Sequence, residues 1–331
     1  MKAAVVGSGG WGTALALALC RNGHETVLWS HHAEKAAQME KTRENPMLPG
    51  ILLPPELLIS GNDTCVAGCQ MVVIAAPSVH IRSVCRRIAP YLDPNALMVS
   101  VTKGIEQGTF LRMSQVVEEE THRSVVALTG PSHAEEVARQ IPTGCLAACA
   151  RQDLANLVQD AFMSETFRIY TSPDIIGAEL GGALKNVIAL CAGTIDGLGY
   201  GDNTLAMLVT RGLTECARLG MALGAKKDTF AGLAGIGDLI VTCTSKHSRN
   251  RRAGVLLGQG TAPGDVLTAV GGAVEGYYAA SSAYALAKSV GVEMPIVEAA
   301  YQVLYTGVTA EDAVKELLQR HRRPEEDAGW L

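Results

Sequence analysis

The chain opens with residues 2–12, KAAVVGSGGWG, in which an apolar strand, a glycine-rich turn and the start of a helix follow one another directly. The glycines of this G-x-G-x-x-G pattern are Gly7, Gly9 and Gly12. In this setting one glycine permits the tight turn, one lets a pyrophosphate approach the backbone, and one lets the helix pack on the strand. Free N–H groups at the helix start favour the phosphates. The stretch therefore predicts a dinucleotide-binding domain.

Short apolar runs alternate with helical patterns through the rest of the first half. The predicted strands cover residues 2–6, 25–29, 71–75, 96–101, 124–128, 143–148 and 166–170. Residues 45–55 are rich in proline and predict a surface loop. Strand–helix alternation of this kind indicates a parallel, doubly wound sheet with helices on both faces. We therefore expect an α/β fold with a Rossmann-like N-terminal domain.

The pattern changes near Ser172-Pro173, where strand signals end. Ser172 is a plausible N-cap, with Pro173 at the first helical position. The helices predicted beyond it cover residues 174–195, 204–223, 249–257, 275–289, 295–305 and 310–319. We expect a dinucleotide-binding domain over residues 1–173 and an all-helical substrate domain over residues 174–331, with a polar, frayed tail from residue 320.

Composition limits the classes of function. The 331 residues suffice for two domains, and a net charge of −5 gives no general affinity for nucleic acid or an anionic membrane. No secretory signal and no stable membrane insertion are expected, because uninterrupted apolar runs stay well below ~18 residues. The nine cysteines are expected to be reduced in a cytoplasmic protein. The pairs Cys65/Cys69 and Cys145/Cys149 lack histidines at zinc-like spacing, so no metal site is predicted.

The end of the second strand bears on the choice of cofactor. NAD-binding domains usually carry a carboxylate here for the ribose hydroxyls. This chain has Trp29-Ser30-His31-His32 instead. No carboxylate repels a 2′-phosphate, and the serine and the histidines can donate hydrogen bonds to it. The sequence therefore allows NAD(H) and mildly favours NADP(H), unless the histidines are simply exposed.

Two later strand ends carry polar residues. Lys103 follows the strand over residues 96–101, and Gly130 to Ser132 follow the next strand. Ligands of open α/β sheets bind at the carboxyl ends of the strands, so Lys103 is placed to meet substrate or cofactor. Ser132 can contact substrate, cap the helix that follows, or do both.

Lys185 lies in a predicted helix beside Gly181, Gly182 and Ala183. Each glycine costs a helix ~1 kcal/mol relative to alanine, so small residues here indicate that another group approaches closely. A lysine with a free pKa near ~10.4 is a poor base at neutral pH. Burial and neighbouring cations, for which Lys103 and Arg249 are candidates, would lower that pKa. Lys185 is thus a candidate for proton transfer.

The segment Ser248-Arg249-Asn250 predicts an anion site. Ser248 is a plausible N-cap, and a guanidinium, a hydroxyl, an amide and helix N–H groups together suit a phosphate. We interpret Arg251 and Arg252 as a solvated basic face. Asp238 follows two glycines, and a flexible loop there would let its carboxylate reach a substrate hydroxyl.

Taken together, these motifs resemble the bacterial NAD(P)-dependent glycerol-3-phosphate dehydrogenases. The matching stretches are residues 7–13 (GSGGWGT), 102–104 (TKG), 130–134 (GPSHA), 182–186 (GALKN), 237–239 (GDL), 242–244 (TCT), 248–252 (SRNRR) and 274–276 (VEG). Each motif is modest evidence, but the ordered set is specific and covers most of the chain. The resemblance implies reversible reduction of dihydroxyacetone phosphate by NAD(P)H to sn-glycerol 3-phosphate, which feeds glycerophospholipid synthesis.

The resemblance also assigns roles. It makes Lys185 the proton acceptor in alcohol oxidation. The implied substrate-binding residues are Lys103, Gly130, Ser132, Lys185, Asn186, Asp238, Thr242, Ser248, Arg249 and Asn250. The implied cofactor-binding residues are Gly7, Gly9, Gly10, Trp11, Gly12, His31, His32, Lys103, Ala134, Arg249, Ala273 and Glu275.

The chain departs from the family pattern at two places. Many members have arginine where this chain has His31-His32, which leaves the preference between NADH and NADPH open. Relatives often carry arginine after residues 274–276, where this chain has Tyr277-Tyr278. That leaves the detail of the adjacent cofactor edge open.

Two other functions stay open at this point. A 6-phosphogluconate or β-hydroxyacid dehydrogenase shares the two-domain plan and a helical lysine, but gives no reason for Asp238 together with residues 248–250. A non-catalytic NAD(P) sensor leaves Lys185 without a role. The sequence does not determine the oligomeric state, and a homodimer is compatible with it.

Overall fold

The N-terminal part of the protein is built on one sheet. A computed structural model describes residues 1–321 and residue 325. The strands are β1 (Lys2–Val6), β2 (Glu25–Trp29), β3 (Leu58–Ser60), β4 (Met71–Ile74), β5 (Leu97–Ser100), β6 (Val125–Thr129), β7 (Thr143–Ala148) and β8 (Phe167–Ser172). Their order in the sheet is β3-β2-β1-β4-β5-β6-β7-β8. The crossover from β3, at one edge, to β4 beside β1 is the doubly wound arrangement expected from the sequence.

Helices cover both faces of this sheet. Those of the N-terminal part are α1 (Gly10–Arg21), α2 (Ala33–Thr42), α3 (Ile81–Ile88), α4 (Met113–Thr121), α5 (Ala134–Ala138) and α6 (Gln152–Phe162). Ala3 and Val5 of β1 belong to one hydrophobic core, whereas Ala4 and Val6 belong to another on the opposite face. This alternation follows from the period of two in a strand. The predicted parallel α/β domain is confirmed for β1 to β6.

The structure corrects the predicted sheet in two respects. β3, an edge strand of three residues, was too short to give an apolar run in the sequence. β7 runs antiparallel to β6, although β8 is parallel to β7. Between β6 and β7 the chain has only the five-residue helix α5, which spans about 7.5 Å at 1.5 Å per residue. A connection of this length cannot carry the chain back to the other end of the sheet, so β7 runs antiparallel beside β6.

In the C-terminal part, all the regular secondary structure of the described residues is helical. Its helices are α7 (Ile175–Gly197), α8 (Asp202–Ala222), α9 (Lys227–Phe230), α10 (Asp238–Thr244), α11 (Arg249–Gly258), α12 (Pro263–Val270), α13 (Glu275–Ser289), α14 (Pro295–Tyr305) and α15 (Ala310–Leu318). Helices α9, α10 and α12 were not predicted. Most of the tail predicted to fray, residues 322–324 and 326–331, lies outside the described residues.

The start of α7 differs from the prediction. Ser172 is the last residue of β8, and the N-cap of α7 is Asp174, whose side chain accepts a hydrogen bond from the Gly177 N–H at 2.9 Å. The other carboxylate oxygen accepts from the backbone of Lys226 and from the hydroxyl of Thr229. Asp174 therefore caps α7 and ties it to α9, whereas the hydroxyl oxygen of Ser172 accepts from the Asp174 N–H. The predicted domain limit after residue 173 falls between β8 and α7.

Helix α7 is the centre of the C-terminal part. Among the described residues it alone has the length and hydropathy to cross a membrane, but 83% of its most apolar window is buried inside the protein. Such burial identifies a core helix. Lys185 and Asn186 lie in its middle, so the other helices surround the candidate site.

Paired glycines bring α7 and α11 into backbone contact. A Cβ atom on Gly193 or Gly197 of α7 would lie 1.9 or 2.3 Å from carbonyl oxygens of α11. Conversely, a Cβ atom on Gly254 or Gly258 of α11 would lie 1.9 or 2.2 Å from carbonyl oxygens of α7. Each helix thus presents a G-x-x-x-G face to the other. This close packing sets the position of residues 248–250 relative to Lys185.

We predict that Gly254→Ala destabilises the protein by about 1–3 kcal/mol, because the added methyl group meets backbone that cannot move aside. The measurement is the midpoint of urea unfolding. Gly264→Ala on α12 is the matched control, since its Cβ meets nothing within 4 Å. That variant should be neutral or slightly more stable. Equal midpoints for the two variants would contradict the backbone contact between α7 and α11.

Candidate active site

The glycine-rich turn fits a dinucleotide. Gly7 has φ +126, and a Cβ atom there would lie 2.7 Å from the Ala75 carbonyl oxygen. A Cβ atom on Gly12 would lie 2.0 Å from the Gly7 oxygen, so this glycine permits the helix to pack on the strand. Nothing lies within 4 Å of a Cβ built on Gly9. The protein's own packing therefore does not explain Gly9, and the open space suits a pyrophosphate approaching the backbone.

The first N–H groups of α1 have no side-chain acceptor, a setting that suits an anion. Gly9 is its N-cap and has no side chain to accept from the first N–H groups. Gly10 faces the start of α5, where a Cβ atom would come within 3.5 Å of the Ala134 methyl group. Trp11 is half-buried against the N-terminal core. These predicted cofactor residues lie together at the carboxyl end of β1.

A buried cluster joins the two predicted lysines. Lys185 of α7 donates to Asp238 Oδ1 in a short hydrogen bond, and Lys103 Nζ lies 2.7 Å from Asp238 Oδ2. Lys185 also donates to Thr242 Oγ1 at 2.6 Å, and Lys103 donates to the Gly130 carbonyl at 2.9 Å. The Asp238 side chain is 1% exposed and that of Lys185 is 8% exposed. Two cations thus share one carboxylate at the interface of sheet and helices.

The small residues of α7 make room for this cluster. A Cβ atom on Gly182 would lie 2.9 Å from Thr129 Oγ1 and 3.4 Å from Cγ of Lys103. On Gly181 it would lie 2.6 Å from the Ala234 carbonyl oxygen. The groups that approach α7 closely are therefore the protein's own: the end of β6, the stem of Lys103 and the turn before α10.

The environment lowers the pKa of Lys185 from 10.5 to about 8. Burial is the largest cause, because it disfavours the charged ammonium. Asp238 opposes the shift, while the positive charge of Lys103 adds to it. Of the two cations that the sequence put forward for this effect, Lys103 and Arg249, Lys103 alone is among the largest causes. A lysine with this pKa can exchange a proton near neutral pH.

The structure changes the expected setting of Asp238. The sequence predicted a flexible glycine loop, but residues 233–237 form a π-helical turn and Asp238 begins α10. Its carboxylate holds the two lysines instead of extending freely. In α10, Thr242 lies one turn after Asp238 and donates to the Asp238 carbonyl oxygen at 2.6 Å. Asp238 and Thr242 therefore present their side chains to Lys185 from one helix face.

The predicted phosphate segment lies at the start of α11. Ser248 is the N-cap, as predicted, and accepts from the Arg251 N–H at 3.2 Å. Asn250 is buried and its amide is committed: it donates to Asn186 Oδ1 at 2.9 Å and accepts from the Gly276 N–H at 2.9 Å. Asn250 and Asn186 therefore lock α7, α11 and the start of α13 together. This bond places Arg249 close to the Lys185 segment.

Arg249 is an available cation. Its side chain is exposed and runs past Gly272, and no described residue accepts a hydrogen bond from it. By contrast, Arg251 pairs with Asp196 and Arg252 donates to the Val270 carbonyl, which corrects their interpretation as a purely solvated face. Arg249 thus has N–H donors that remain available to a ligand.

The loop after β6 holds Ser132 and two unpaired polar atoms. Ser132 donates to the Gly130 carbonyl, and the N-cap of α5 is His133, so Ser132 does not cap that helix. Gly130 has φ +144, and a Cβ atom there would lie 3.0 Å from Cys145 Cα. Thr129 Oγ1 and His133 Nε2 are buried without a partner among the described residues. Buried polar atoms are usually paired, so both can serve a bound ligand.

Glu275 connects the two parts of the protein. It begins α13, and its carboxylate accepts from the N–H of Ser78 at 3.2 Å and from the Ser78 hydroxyl. Burial raises the pKa of Glu275.

The other predicted cofactor residues lie at both ends of this region. Ala273 is half-buried just before Glu275, whereas His31 and His32 are exposed beyond β2. The predicted cofactor residues thus extend from the end of β2 to the start of α13.

Sequence reasoning missed Ser78, Thr129 and His133. Ser78 follows β4 just as Lys103 follows β5, so its strand-end position was a usable signal. Nothing in the sequence marks the unpaired atoms of Thr129 and His133. Among the described residues, no group of three or more His, Cys, Asp or Glu side chains could hold a metal ion.

This fold, with the glycine-rich turn and the buried lysine cluster, defines a two-domain dinucleotide-dependent dehydrogenase. Family models for the N-terminus and C-terminus of NAD-dependent glycerol-3-phosphate dehydrogenase match residues 2–155 and 174–315. The chain belongs to this family.

Individual relatives agree with this assignment. The chain is 49% identical to glycerol-3-phosphate dehydrogenase [NAD(P)+] of Desulfitobacterium hafniense, over 98% of this chain and 93% of that protein. It is 51% identical to the enzyme of the same name from Geobacillus thermodenitrificans, over 97% and 95% of the two chains. The crystal structure of glycerol-3-phosphate dehydrogenase from Coxiella burnetii superposes with a TM-score of 0.92 at 36% identity, covering 96% of this chain and 99% of that one.

Proposed function

We propose that this protein reversibly reduces dihydroxyacetone phosphate to sn-glycerol 3-phosphate with NAD(P)H, and thereby supplies glycerophospholipid synthesis. The observation that carries the proposal is the buried Lys185–Asp238–Lys103 cluster, with the unpaired Arg249 held nearby through the Asn186–Asn250 bond. A proton-transfer group on α7 and an anion-binding group at the start of α11 thus belong to two helices that this bond joins. Family membership supports this reaction over a β-hydroxyacid dehydrogenase and over a non-catalytic sensor.

Lys185 is the general acid and base of the reaction. When bound, the reduced nicotinamide supplies a hydride to the carbonyl carbon. The Lys185 ammonium gives a proton to the carbonyl oxygen as negative charge develops there, and the alcohol results. In oxidation the neutral amine takes that proton back. A pKa of about 8 keeps both forms accessible near neutral pH.

Asp238 and Lys103 position this proton transfer. Asp238 fixes the Lys185 amine from one side, and Thr242 accepts from it on another. Lys103 donates to the Gly130 carbonyl and to Asp238, so its ammonium lies beside the reacting group. From there it can donate to a substrate oxygen that gains charge.

The pH dependence follows from the pKa of Lys185. In oxidation the amine must be neutral, so kcat/KM is expected to rise with pH and level off above about 8. In reduction the ammonium must be present, so kcat/KM is expected to fall above about 8. Because Asp238 raises this pKa, Asp238→Asn should move both transitions to lower pH. Transitions unchanged in Asp238→Asn would contradict the assignment of this pKa to Lys185.

A substrate comparison tests the proposed function. Rates of NADP⁺ and NAD⁺ reduction are measured with glycerol 3-phosphate, 6-phosphogluconate and a 3-hydroxyacid, and products are identified by NMR. We expect turnover of glycerol 3-phosphate to dihydroxyacetone phosphate. Preferential oxidation of either carboxylate substrate would overturn the proposal, and so would cofactor binding without turnover of any of the three.

We also place the protein in the cytoplasm as a homodimer. All nine cysteines are free, which suits a reducing compartment. In the first half of α8, residues 202–211 are all at least partly exposed, and the Met207 side chain is 49% exposed. We expect light scattering to give a dimer for the native protein and a monomer for Met207→Glu. A native monomer would exclude the dimer.

A further inference from the structure

The end of β2 holds a guanidinium that the sequence did not indicate. Arg87 lies near the end of α3, and its Nη1 is 2.7 Å from Nδ1 of His31. Its guanidinium carbon is 5.1 Å from the centre of the Trp29 ring. Trp29 is the last residue of β2, and His31 follows two positions later. Arg87 therefore reaches the place where the ribose next to the adenine lies in this class of fold.

Arg87 also pairs with a carboxylate near the end of β2. The chain has no acidic residue directly after β2, but Asp63, from the segment after β3, lies at this position. Its oxygens pair with Arg87 at 2.6 and 3.0 Å, and the Trp29 indole N–H donates to it at 3.2 Å. An unpaired carboxylate at this position would repel a 2′-phosphate and accept from ribose hydroxyls. Arg87 neutralises Asp63 and so removes that repulsion.

The contact with Arg87 also determines which ring nitrogen of His31 carries the proton. An arginine can only donate, so Nδ1 of His31 accepts and the neutral ring carries its proton on Nε2. Burial is the largest cause that lowers the pKa of this ring, the positive charge of Arg87 adds to it, and Asp63 opposes it. Nε2–H of His31 and the remaining N–H groups of Arg87 are then donors at one position. The Arg87 side chain is 39% exposed, so a ligand can reach it.

We propose that Arg87 is the residue that selects NADP(H), by binding the 2′-phosphate together with His31. The proposal deepens the proposed function, because it concerns the cofactor of the same reaction. It predicts that NADPH is preferred over NADH and that the preference depends on a residue of α3.

Binding of two adenosine fragments tests this without any turnover. Dissociation constants for 2′,5′-ADP and 5′-AMP are measured by calorimetry. We expect the native protein to bind 2′,5′-ADP more tightly. Arg87→Ala should weaken 2′,5′-ADP by about 10- to 100-fold, which is about 1.4–2.7 kcal/mol. It should not weaken 5′-AMP, because the Asp63 carboxylate that it frees can accept from the 2′-hydroxyl. Arg86→Ala, which removes a neighbouring arginine that is 65% exposed, is the control and should change neither.

Two further variants separate the remaining explanations. Asp63→Asn keeps Arg87 and removes its competing partner, so 2′,5′-ADP should bind more tightly while 5′-AMP binds as before. Arg87→Lys should retain part of the preference for 2′,5′-ADP over 5′-AMP. If Arg87→Ala does not fold, this variant tests the role of Arg87 in its place. Equal weakening of both nucleotides, or no weakening of either, would overturn the proposal. A protein that prefers 2′,5′-ADP but does not reduce dihydroxyacetone phosphate would contradict the proposed function and leave the role of Arg87 intact.

Discussion

Replacement of Lys185 by Met is expected to lower kcat for reduction of dihydroxyacetone phosphate by about 10²- to 10⁴-fold, the usual contribution of general acid–base catalysis. Cofactor binding should change little, since Lys185 lies in the middle of α7, away from the glycine-rich turn. The methionine keeps the length and apolar stem of lysine but has no proton to give. The thioether cannot donate to Asp238, so Lys103 is then the remaining lysine partner of that carboxylate.

Lys103→Met is the matched control for this variant, because it also removes one cation from Asp238. The substrate KM should rise, but the pH transition should remain. Because Lys103 lowers the pKa of Lys185, that transition should move to higher pH in Lys103→Met and disappear in Lys185→Met. Circular dichroism and NADPH binding verify that both variants are folded. A Lys185→Met enzyme with kcat within a few-fold of the native value would show that another group transfers the proton.

Arg249→Ala is expected to damage use of dihydroxyacetone phosphate far more than use of dihydroxyacetone. The phosphate carries close to two negative charges, while the protein has a net charge of −5, so a local cation is needed. Arg249 is exposed at the start of α11, and no described residue accepts a hydrogen bond from it. Loss of such a charged contact should cost about 2–4 kcal/mol in kcat/KM.

Arg249→Lys should recover only part of this loss, because an ammonium cannot make the planar two-point contact of a guanidinium. Arg252→Ala is a control on the same helix, where the arginine instead donates to the Val270 carbonyl. The ratio of kcat/KM for the two ketones is the measurement. If Arg249→Ala lowers kcat/KM by the same factor for both ketones, Arg249 does not contact the phosphate. Its role would then be in cofactor binding or structure, which would suit its position near Glu275.

Local patterns were enough to predict much of the fold. The bounds of β1, β2, β7, α13 and α14 agree with the sequence prediction, because apolar runs and helix starts are local signals. The antiparallel direction of β7 and the edge strand β3 were missed, since both depend on how the chain returns across the sheet. The N-cap at Asp174 was missed because its choice over Ser172 rests on distant partners in α9.

The candidate site shows the same division between local and distant information. Lys185, Lys103 and Ser248 stood out by their places on helices and at strand ends. The pairing of both lysines with Asp238, the commitment of Asn250 to Asn186, and the presence of Arg87 beside His31 join residues at least 50 positions apart. A single sequence carries no signal for such pairs.

The most direct test of the central claim is the initial rate of NADPH oxidation, and then of NADH oxidation, with dihydroxyacetone phosphate as the only other substrate. We predict a ketone-dependent rate that yields glycerol 3-phosphate, is faster with NADPH, and is lost in Lys185→Met. If neither reduced cofactor is oxidised at a rate that depends on dihydroxyacetone phosphate, the proposed function is wrong.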